Sequence, residues 1–326
     1  MAAALAVGHK ITIGGAVYSS REHSRLTALR IHSALDVPVN SARIAMAPPD
    51  GLDASPDDSV AIELGYDDQL DLVFSGQVRR VDYRIGSLTM EAGGSFHKLL
   101  AARFNLLYEK SKAGDIVSGL AGLVGVPTGG IEDGPEYPFV ALSDGESAYQ
   151  GLRRLAERGG FDLYADVEDK LVFAPYNAAE THPLQYGVNV LEARVEAVNP
   201  LVTAAVVCGE SPASLGQGDD AASWLAKKDI LGKAGDSSGL LARRFEPAAR
   251  TEDMAAQMAE AVLAGLTEKR VCSLKVLGTP PVQLGHAVEL SRMPQESQNG
   301  VFKVIGVEHR LDGRHGFISI IRGREQ

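Results

Sequence analysis

A chain of 326 residues is long enough for two or three domains, and its 45% hydrophobic and 23% charged residues are ordinary for a globular protein. The net charge of −10 argues against a protein whose main task is to grip nucleic acid, because lysine and arginine carry phosphate binding. The two cysteines, Cys208 and Cys272, lie far apart in apolar runs and predict buried thiols rather than a disulfide or a zinc site. We also expect no signal peptide and no membrane span, and folding in the cytoplasm of the producing cell.

The first 95 residues have the pattern of a β meander. Apolar and polar residues alternate in four runs, at 11–18, 60–64, 70–81 and 88–92. Residues 24–35 could form a further strand or a short helix. Alternating strands at this spacing favour a small barrel or sandwich, which hides its strand edges.

Helical spacing begins after Ser95. Residues 115–126 have an apolar face, with Ser111 as a possible cap and Gly125 as a stop. Ser143 and Glu146 fit a capping box that opens a second helix, which the glycines at 159–160 end. A β-hairpin is predicted at 161–173. These elements predict a small α/β insertion.

Strand character then returns in five runs, at 190–208, 271–277, 287–290, 301–307 and 317–321. Residues 211–239, rich in glycine, serine and aspartate, are predicted to form a long excursion. Its Trp224 could contact a partner or fasten the excursion to the protein body. A helix is predicted at 251–269, with acidic residues in its first turn and Lys269 and Arg270 in its last.

Two stretches near the ends of the chain are similar to each other. Residues 60–93 and 286–323 each contain three successive strand segments of close length. Each closes on glycine, any residue, Leu or Ile, Thr or Ser, Met or Ile, two residues and glycine. Chance similarity between two amphipathic meanders is the alternative. We interpret the stretches as two similar β modules, since two copies are too few for a solenoid.

No catalytic motif is present: the sequence lacks Gly-x-Ser-x-Gly, His-Glu-x-x-His and the Walker phosphate loop. Three histidines fall on or beside strands of the last module and are expected to be isolated surface residues rather than a metal triad: His286, His309 and His315. Four hairpin carboxylates are expected to form a solvated face rather than an acid–base pair: Asp162, Asp166, Glu168 and Asp169. The arginine pairs at 153–154 and 243–244 are too short for a nucleic-acid patch. We therefore predict no catalytic, cofactor-binding or metal-binding residues and no enzymatic activity.

The order of elements resembles the baseplate hub proteins of contractile tails. These are the late control gene D proteins of phages and the N-terminal hub part of type VI secretion VgrG spike proteins. The segments that carry the resemblance are 74–81, 88–93, 115–121, 146–161, 171–173, 302–312 and 316–319. Each motif alone is weak, and their order over most of the chain makes the resemblance specific. The VgrG hub is followed by an oligosaccharide-binding-like barrel and a β-helical needle. Since this sequence ends at Gln326, we expect the spike tip to be a separate protein.

The resemblance implies a mainly β fold with an α+β insertion. The first β-barrel module would span residues 1–95, the insertion 96–188, and the second β-barrel module 189–326, with an excursion at about 211–270. It also implies a homotrimer in which six similar modules form a pseudo-sixfold ring around a channel, joining the hexameric tail tube to the trimeric spike. Other baseplate proteins are further expected partners, and a phage virion or injection particle the expected location. The alternative is a tail-associated cell-wall-binding module or hydrolase, which would have a cleft with close carboxylates.

Overall fold

The structure, a computed structural model, describes residues 6–21, 25–47, 54–209, 230–236, 238–267 and 270–325. Trp224 and Lys269 lie outside these ranges, so the predictions made for them have no structural counterpart. The fold is mainly β with antiparallel sheets, as predicted, and four α-helices lie within the described residues. None of these helices is both long and apolar enough to span a membrane.

Strands occupy most of the described part of residues 7–93. They are β1 Val7–Ile13, β2 Ala16–Ser19, β3 Leu26–Ala34, β4 Val37–Met46, β5 Ser59–Tyr66, β6 Gln69–Arg84 and β7 Ser87–Gly93. The alternative left open for residues 24–35 is resolved as a strand, because Leu29 and Ile31 alternate with more exposed neighbours and are buried in the core.

The middle of the chain alternates short strands and helices. In order they are α1 Phe96–Ala101, β8 Leu106–Lys112, α2 Ala113–Val124, β9 Thr128–Ile131, β10 Glu136–Leu142, α3 Ala148–Gly159, β11 Phe161–Ala165, β12 Leu171–Pro175 and β13 Thr181–Gln185. The predicted hairpin is confirmed as the antiparallel pair β11–β12. Strand β13, which the sequence analysis did not predict, runs parallel to a strand more than a hundred residues later.

Two of the predicted helix caps are wrong. Helix α2 follows Lys112 without a side-chain cap, and the Ser111 hydroxyl binds the carbonyl of Glu109 instead. The capping box of α3 consists of Ser147 and Gln150, and the Ser147 N–H donates to Gln150 Oε1 at 2.8 Å. Glu146 is not the box acid because it precedes the N-cap, and its carboxylate binds Arg154, about two turns into the helix.

The last third contains the remaining elements. They are β14 Val190–Ala197, β15 Val202–Cys208, β16 Leu231–Gly235, β17 Leu240–Phe245, α4 Glu252–Leu266, β18 Arg270–Leu277, β19 Ala287–Ser291, β20 Gly300–Asp312 and β21 Gly316–Glu325. Thr251 caps α4 through its hydroxyl, which accepts from the Met254 N–H at 3.2 Å. Arg270 does not end this helix as predicted. It opens β18, where Glu325 binds its guanidinium.

The described residues between 202 and 266 pack with the insertion helices. Strands β15, β16 and β17 form their own three-stranded sheet, and α4 lies against it. Strand β16 and helix α4 lie very close together: a Cβ on Gly232 would lie 1.9 Å from the backbone of Ala255. The buried residues of this unit belong to one apolar cluster with those of α1, α2 and α3. Part of the predicted excursion is therefore an ordered strand in a compact α/β unit.

Of the other strands, β8 pairs with β10, and β9, β11 and β12 form a small sheet of their own. The remaining strands form one long sheet that runs through both ends of the chain. Its order is β14-β18-β21-β20-β3-β4-β7-β6-β5-β1-β2, with β19 branching from β20 and β13 pairing with β19. Two separate apolar clusters line it, one under β1 to β7 and the other under β13, β14 and β18 to β21. The first and last thirds of the chain thus share a sheet but keep their own cores.

Candidate functional site

The two halves of the long sheet have the same strand order. In the first half it is β3-β4-β7-β6-β5-β1, and in the second half it is β14-β18-β21-β20-β19-β13. Every neighbouring pair is antiparallel except β13–β19, which is parallel. The stretches that are similar in sequence therefore form corresponding strands.

The hairpin registers identify equivalent positions in the two halves. Val78 faces Ala92 between β6 and β7, Val307 faces Ile321 between β20 and β21, and all four residues are buried. The difference in residue number between equivalent positions of β7 and β21 is the same at the turn ends of both hairpins. Through the pairing of β7 with β4 and of β21 with β18, the equivalence extends to chemically similar residues: Ser41 with Ser273, Arg43 with Lys275, and Ile44 with Val276.

The halves are joined where β20 pairs with β3. The start of β20 pairs with β19, and its second part, residues 306–312, pairs with β3. An ion pair crosses this joint, with Arg30 Nη2 2.9 Å from Glu308 Oε2. Although burial alone would raise the pKa of Glu308, hydrogen bonds from Arg30 and Arg310 hold it below its ordinary value.

Strand β6 has the same two-part construction, but within the described residues β7 is the one strand that pairs with its second part. Its first part pairs with β5 as far as Gln77. Beyond Val78, no strand of the described residues pairs with β6 on the side away from β7. We call residues 79–84 the β6 edge. Tyr83 on this edge is 55% exposed.

Strand β14 is an open edge at the other end of the sheet. It corresponds to β3, yet within the described residues it pairs as a strand only with β18. We call residues 190–197 the β14 edge. Its Leu191 is 49% exposed, and Val188 and Val198, which flank it, are also exposed. Open strands with apolar side chains are ready to pair with another chain.

The hairpin registers show which residues of the β20–β3 joint correspond to the residues of these two edges. Arg80, Val81 and Asp82 of the β6 edge take the places of Glu308, His309 and Arg310 in β20. Glu192, Ala193 and Arg194 of the β14 edge take the places of Arg30, Ile31 and His32 in β3. The charge pattern of the joint is thereby reversed, with an arginine where β20 has an acid and an acid where β3 has an arginine.

Solved structures of tail proteins have this arrangement of elements. A tail protein from Neisseria meningitidis MC58 superimposes with a TM-score of 0.73 at 16% identity, over 98% of this chain and 97% of its own. The 43 kDa tail protein of prophage MuSo2 from Shewanella oneidensis gives 0.68 at 14% identity, over 97% of both chains. No family model matches the sequence, and a search of curated proteins finds no match.

The chain has the fold of these tail proteins. It also resembles the E. coli c3393 protein, described as a component of the type VI secretion system similar to the T4 tail proteins gp27 and gp5. That TM-score is 0.62 at 10% identity, over 96% of this chain and 76% of the other. The predicted resemblance to hub proteins is thus confirmed as a shared fold.

Within this tail-protein fold, the three histidines singled out from the sequence lie apart. His309 is buried and bonded to Ser319 Oγ at 2.8 Å, so the expectation of a surface residue is wrong for it. His315 is exposed and contacts Asp312 at 3.1 Å. His286 is also buried, and its ring contacts His182, a residue that the sequence analysis missed. Only the parallel pairing of β13 with β19 brings these two histidines together, and no local pattern predicts it.

The hairpin carboxylates do not form the solvated face that was predicted. Asp162 is bound at 2.6 Å to Lys303, whose side chain is only 2% exposed. Asp166 accepts two backbone N–H groups of its own turn, and Asp169 accepts the Ser95 N–H. Burial raises the pKa of both Asp166 and Asp169. Asp162 and Asp169 therefore hold the hairpin to its neighbours, Asp166 orders the hairpin turn itself, and only Glu168 is exposed.

The remaining candidates serve the fold. Arg153 donates to the Leu35 carbonyl at 3.0 Å and so ties α3 to the turn between β3 and β4. Cys272 is buried, and burial raises the pKa of its thiol to about 12, which agrees with the predicted role as a small hydrophobe. Cys208 is half-buried, and both cysteines are unpaired thiols.

Proposed function

We propose that this protein is the baseplate hub of a contractile phage tail or a phage-like injection system. It acts as a homotrimer that joins the hexameric tail tube to the trimeric spike around a central channel, in contact with other baseplate proteins. One observation supports the proposal. The two halves of the sheet repeat one strand order, and the β6 and β14 edges, which correspond to the two strands of the β20–β3 joint, do not pair in this way within the described residues.

The β6 edge of one subunit pairs with the β14 edge of the next. Within one chain, the second part of β20 pairs with β3. Because β6 corresponds to β20 and β14 to β3, the same pairing between chains continues the sheet without a new kind of contact. It also covers both open edges, which an isolated chain would leave as sites for non-specific association.

The register of the joint predicts which side chains meet at this interface. It places Val81 opposite Ala193 of the neighbouring subunit. It also sets Arg80 opposite the neighbour's Arg194 and Asp82 opposite the neighbour's Glu192, so the pairs of opposite charge lie on the two diagonals. Within one chain, Glu308 meets Arg30 along such a diagonal. The contact of Val81 with Ala193 favours this register over a slip of one residue, which would turn every side chain to the other face.

Three subunits joined in this way make a closed ring of six similar modules. Each chain contributes β1 to β7 as one module and β13, β14 and β18 to β21 as the other. The α/β unit, including the described residues between 202 and 266, lies beside this ring. A ring with threefold symmetry and six similar modules can bind a sixfold partner on one face and a threefold partner on the other.

Substitution of the apolar pair at the interface tests this proposal. We expect the wild-type protein to have the mass of three 34.5 kDa chains in light scattering. Val81→Glu and Ala193→Lys should each lower the trimer fraction, because each sets a charge against an apolar side chain across the edges. The double variant, in which opposite charges face each other, should recover part of it. Arg103→Glu, an exposed arginine of the α/β unit, is the matched control. A wild-type protein that stays monomeric at tens of micromolar and inside purified particles would contradict the hub assignment.

A further inference from the structure

A carboxylate and two imidazoles meet where β13 pairs with β19. His182 Nε2 lies 2.8 Å from His286 Nδ1, and the two rings stack with centroids 5.0 Å apart. Glu180 Oε1 lies 3.7 Å from His182 Nδ1. One ligand atom from each of the three residues falls within 4.8 Å of the other two. Among the described residues, this is the one such group of three.

The backbone around this group is held on both sides. The Ala287 N–H donates to the Glu180 carbonyl at 2.8 Å, and the Val304 N–H donates to the His286 carbonyl at 2.9 Å. Gly285, just before His286, has a φ of +85°, and a Cβ there would lie 2.4 Å from the Tyr164 hydroxyl. The turn that positions His286 therefore requires glycine.

The side chains have the arrangement of a metal site. Both histidines are buried, and their facing nitrogens lie 2.8 Å apart, so each ring can offer one nitrogen to the same ion. The outer nitrogen of His286 lies 3.2 Å from the Gln283 amide nitrogen, and a half-turn of that amide presents its oxygen as the acceptor that an outer-shell partner supplies. Glu180 is 61% exposed and free to rotate toward the rings.

We propose that Glu180, His182 and His286 form a binding site for a divalent transition-metal ion, of which Zn²⁺ is the representative. Two imidazoles and a carboxylate suit zinc, and a water completes four-coordination. The proton shared between the two facing nitrogens moves to the outer nitrogen of the same ring when the ion enters.

The required movement is small. In a tetrahedral site with zinc–nitrogen distances of about 2.0 Å, two nitrogens lie about 3.3 Å apart. The observed 2.8 Å must therefore widen by roughly 0.5 Å. A modest side-chain rotation supplies this movement.

The ion would fasten β13 onto the sheet. This strand follows the α/β unit, and its pairing partner β19 lies more than a hundred residues away in the chain. A ligand that binds only the folded state stabilises it in proportion to its concentration above the dissociation constant. The site is independent of the β6 and β14 edges, so its failure would leave the hub proposal unaffected.

Calorimetry and metal analysis on the chelator-treated full chain test the site with ZnCl₂. We expect one Zn²⁺ per chain and, at a hundredfold excess over the dissociation constant, a melting temperature raised by about 5 °C. His182→Asn and His286→Asn should abolish saturable binding. Glu180→Gln, at an exposed position, should weaken it at least about tenfold without altering the fold. Substitution with Co²⁺ should give the visible absorption of a tetrahedral site.

His315→Asn is the matched control, since His315 contacts the carboxylate of Asp312 but has no second imidazole beside it. We expect this variant to bind Zn²⁺ as the wild type does. Circular dichroism identifies any variant that fails to fold, and Glu180→Gln then decides the outcome. Absence of saturable Zn²⁺ binding by the wild type, or equal binding by a folded Glu180→Gln variant, would overturn the proposal.

Discussion

At the scale of single residues, buried polar side chains have the largest predicted effects on the stability of this protein. His309 is fully enclosed beside Phe317, and burial lowers its pKa from 6.5 to about 4. The unfolded chain therefore binds a proton more readily than the folded one between these two values. Stability is complete above pH 6.5 and falls as the pH drops toward 4.

For His309 this loss amounts to about 3 kcal/mol of unfolding free energy between pH 7 and pH 4. Denaturant titrations at several pH values measure it. His309→Gln should remove this part of the pH dependence, whereas His315→Gln, at an exposed turn, should keep it. An identical acid profile for the wild type and His309→Gln would contradict the prediction.

The Lys303–Asp162 pair gives a second prediction at this scale. It links β20 to the hairpin β11–β12, and the Lys303 ammonium also lies 4.5 Å from the Tyr176 ring centroid. Asp162→Asn should cost about 3 kcal/mol, because it leaves a buried charge without its partner. The double variant Asp162→Asn with Lys303→Met should recover most of that loss.

The exposed pair Lys170–Glu168 is the control for that measurement. Glu168→Gln should change the unfolding free energy far less than Asp162→Asn does, since solvent screens the pair. Comparable losses from Asp162→Asn and Glu168→Gln would show that burial does not set the strength of the first pair. The sequence placed both acids on one hairpin but gave no sign of Lys303, which approaches from another part of the chain.

At the scale of elements, the serine that the sequence pattern indicated as the cap of helix α3 is not the serine that caps it. Ser143 and Ser147 both precede the helix, and only Ser147 caps it, through the Gln150 N–H at 3.2 Å. Ser147→Ala should destabilise the protein by about 1 kcal/mol, and Ser143→Ala by much less. Thermal unfolding of the two variants side by side measures the difference, and the reverse order would contradict the assigned cap.

Strands with one buried face were predictable, and those that depend on distant partners were not. Alternation located β5, β6, β7 and β18 to β21, because one face of each packs on a core. Strand β13 is short and carries a proline, and its parallel partner is distant. Apart from Leu231, strand β16 consists of small and polar residues, and Gly232 allows close contact with α4, so its composition resembled a loop.

At the scale of the whole molecule, the repeat was visible in the sequence but its use was not. The similarity of residues 60–93 to 286–323 predicted two like meanders. It did not predict that both belong to one sheet, because the β20–β3 joint is formed between residues far apart in the chain. The candidate edges follow only from the two-part pairing of β6 and β20, which the structure reveals.

The central claim is that the β6 edge of one subunit pairs with the β14 edge of the next in the register of the β20–β3 joint. Cysteines at Val81 and Ala193 test it, because cross-strand neighbours are close enough for a disulfide. Each single variant, and Val81→Cys combined with Glu196→Cys, controls for the native cysteines and for register. After mild oxidation, the Val81→Cys/Ala193→Cys protein should run as a covalent trimer on a non-reducing gel while the controls stay monomeric. A double variant that remains monomeric on that gel, or that links no better than its register control, would contradict the account.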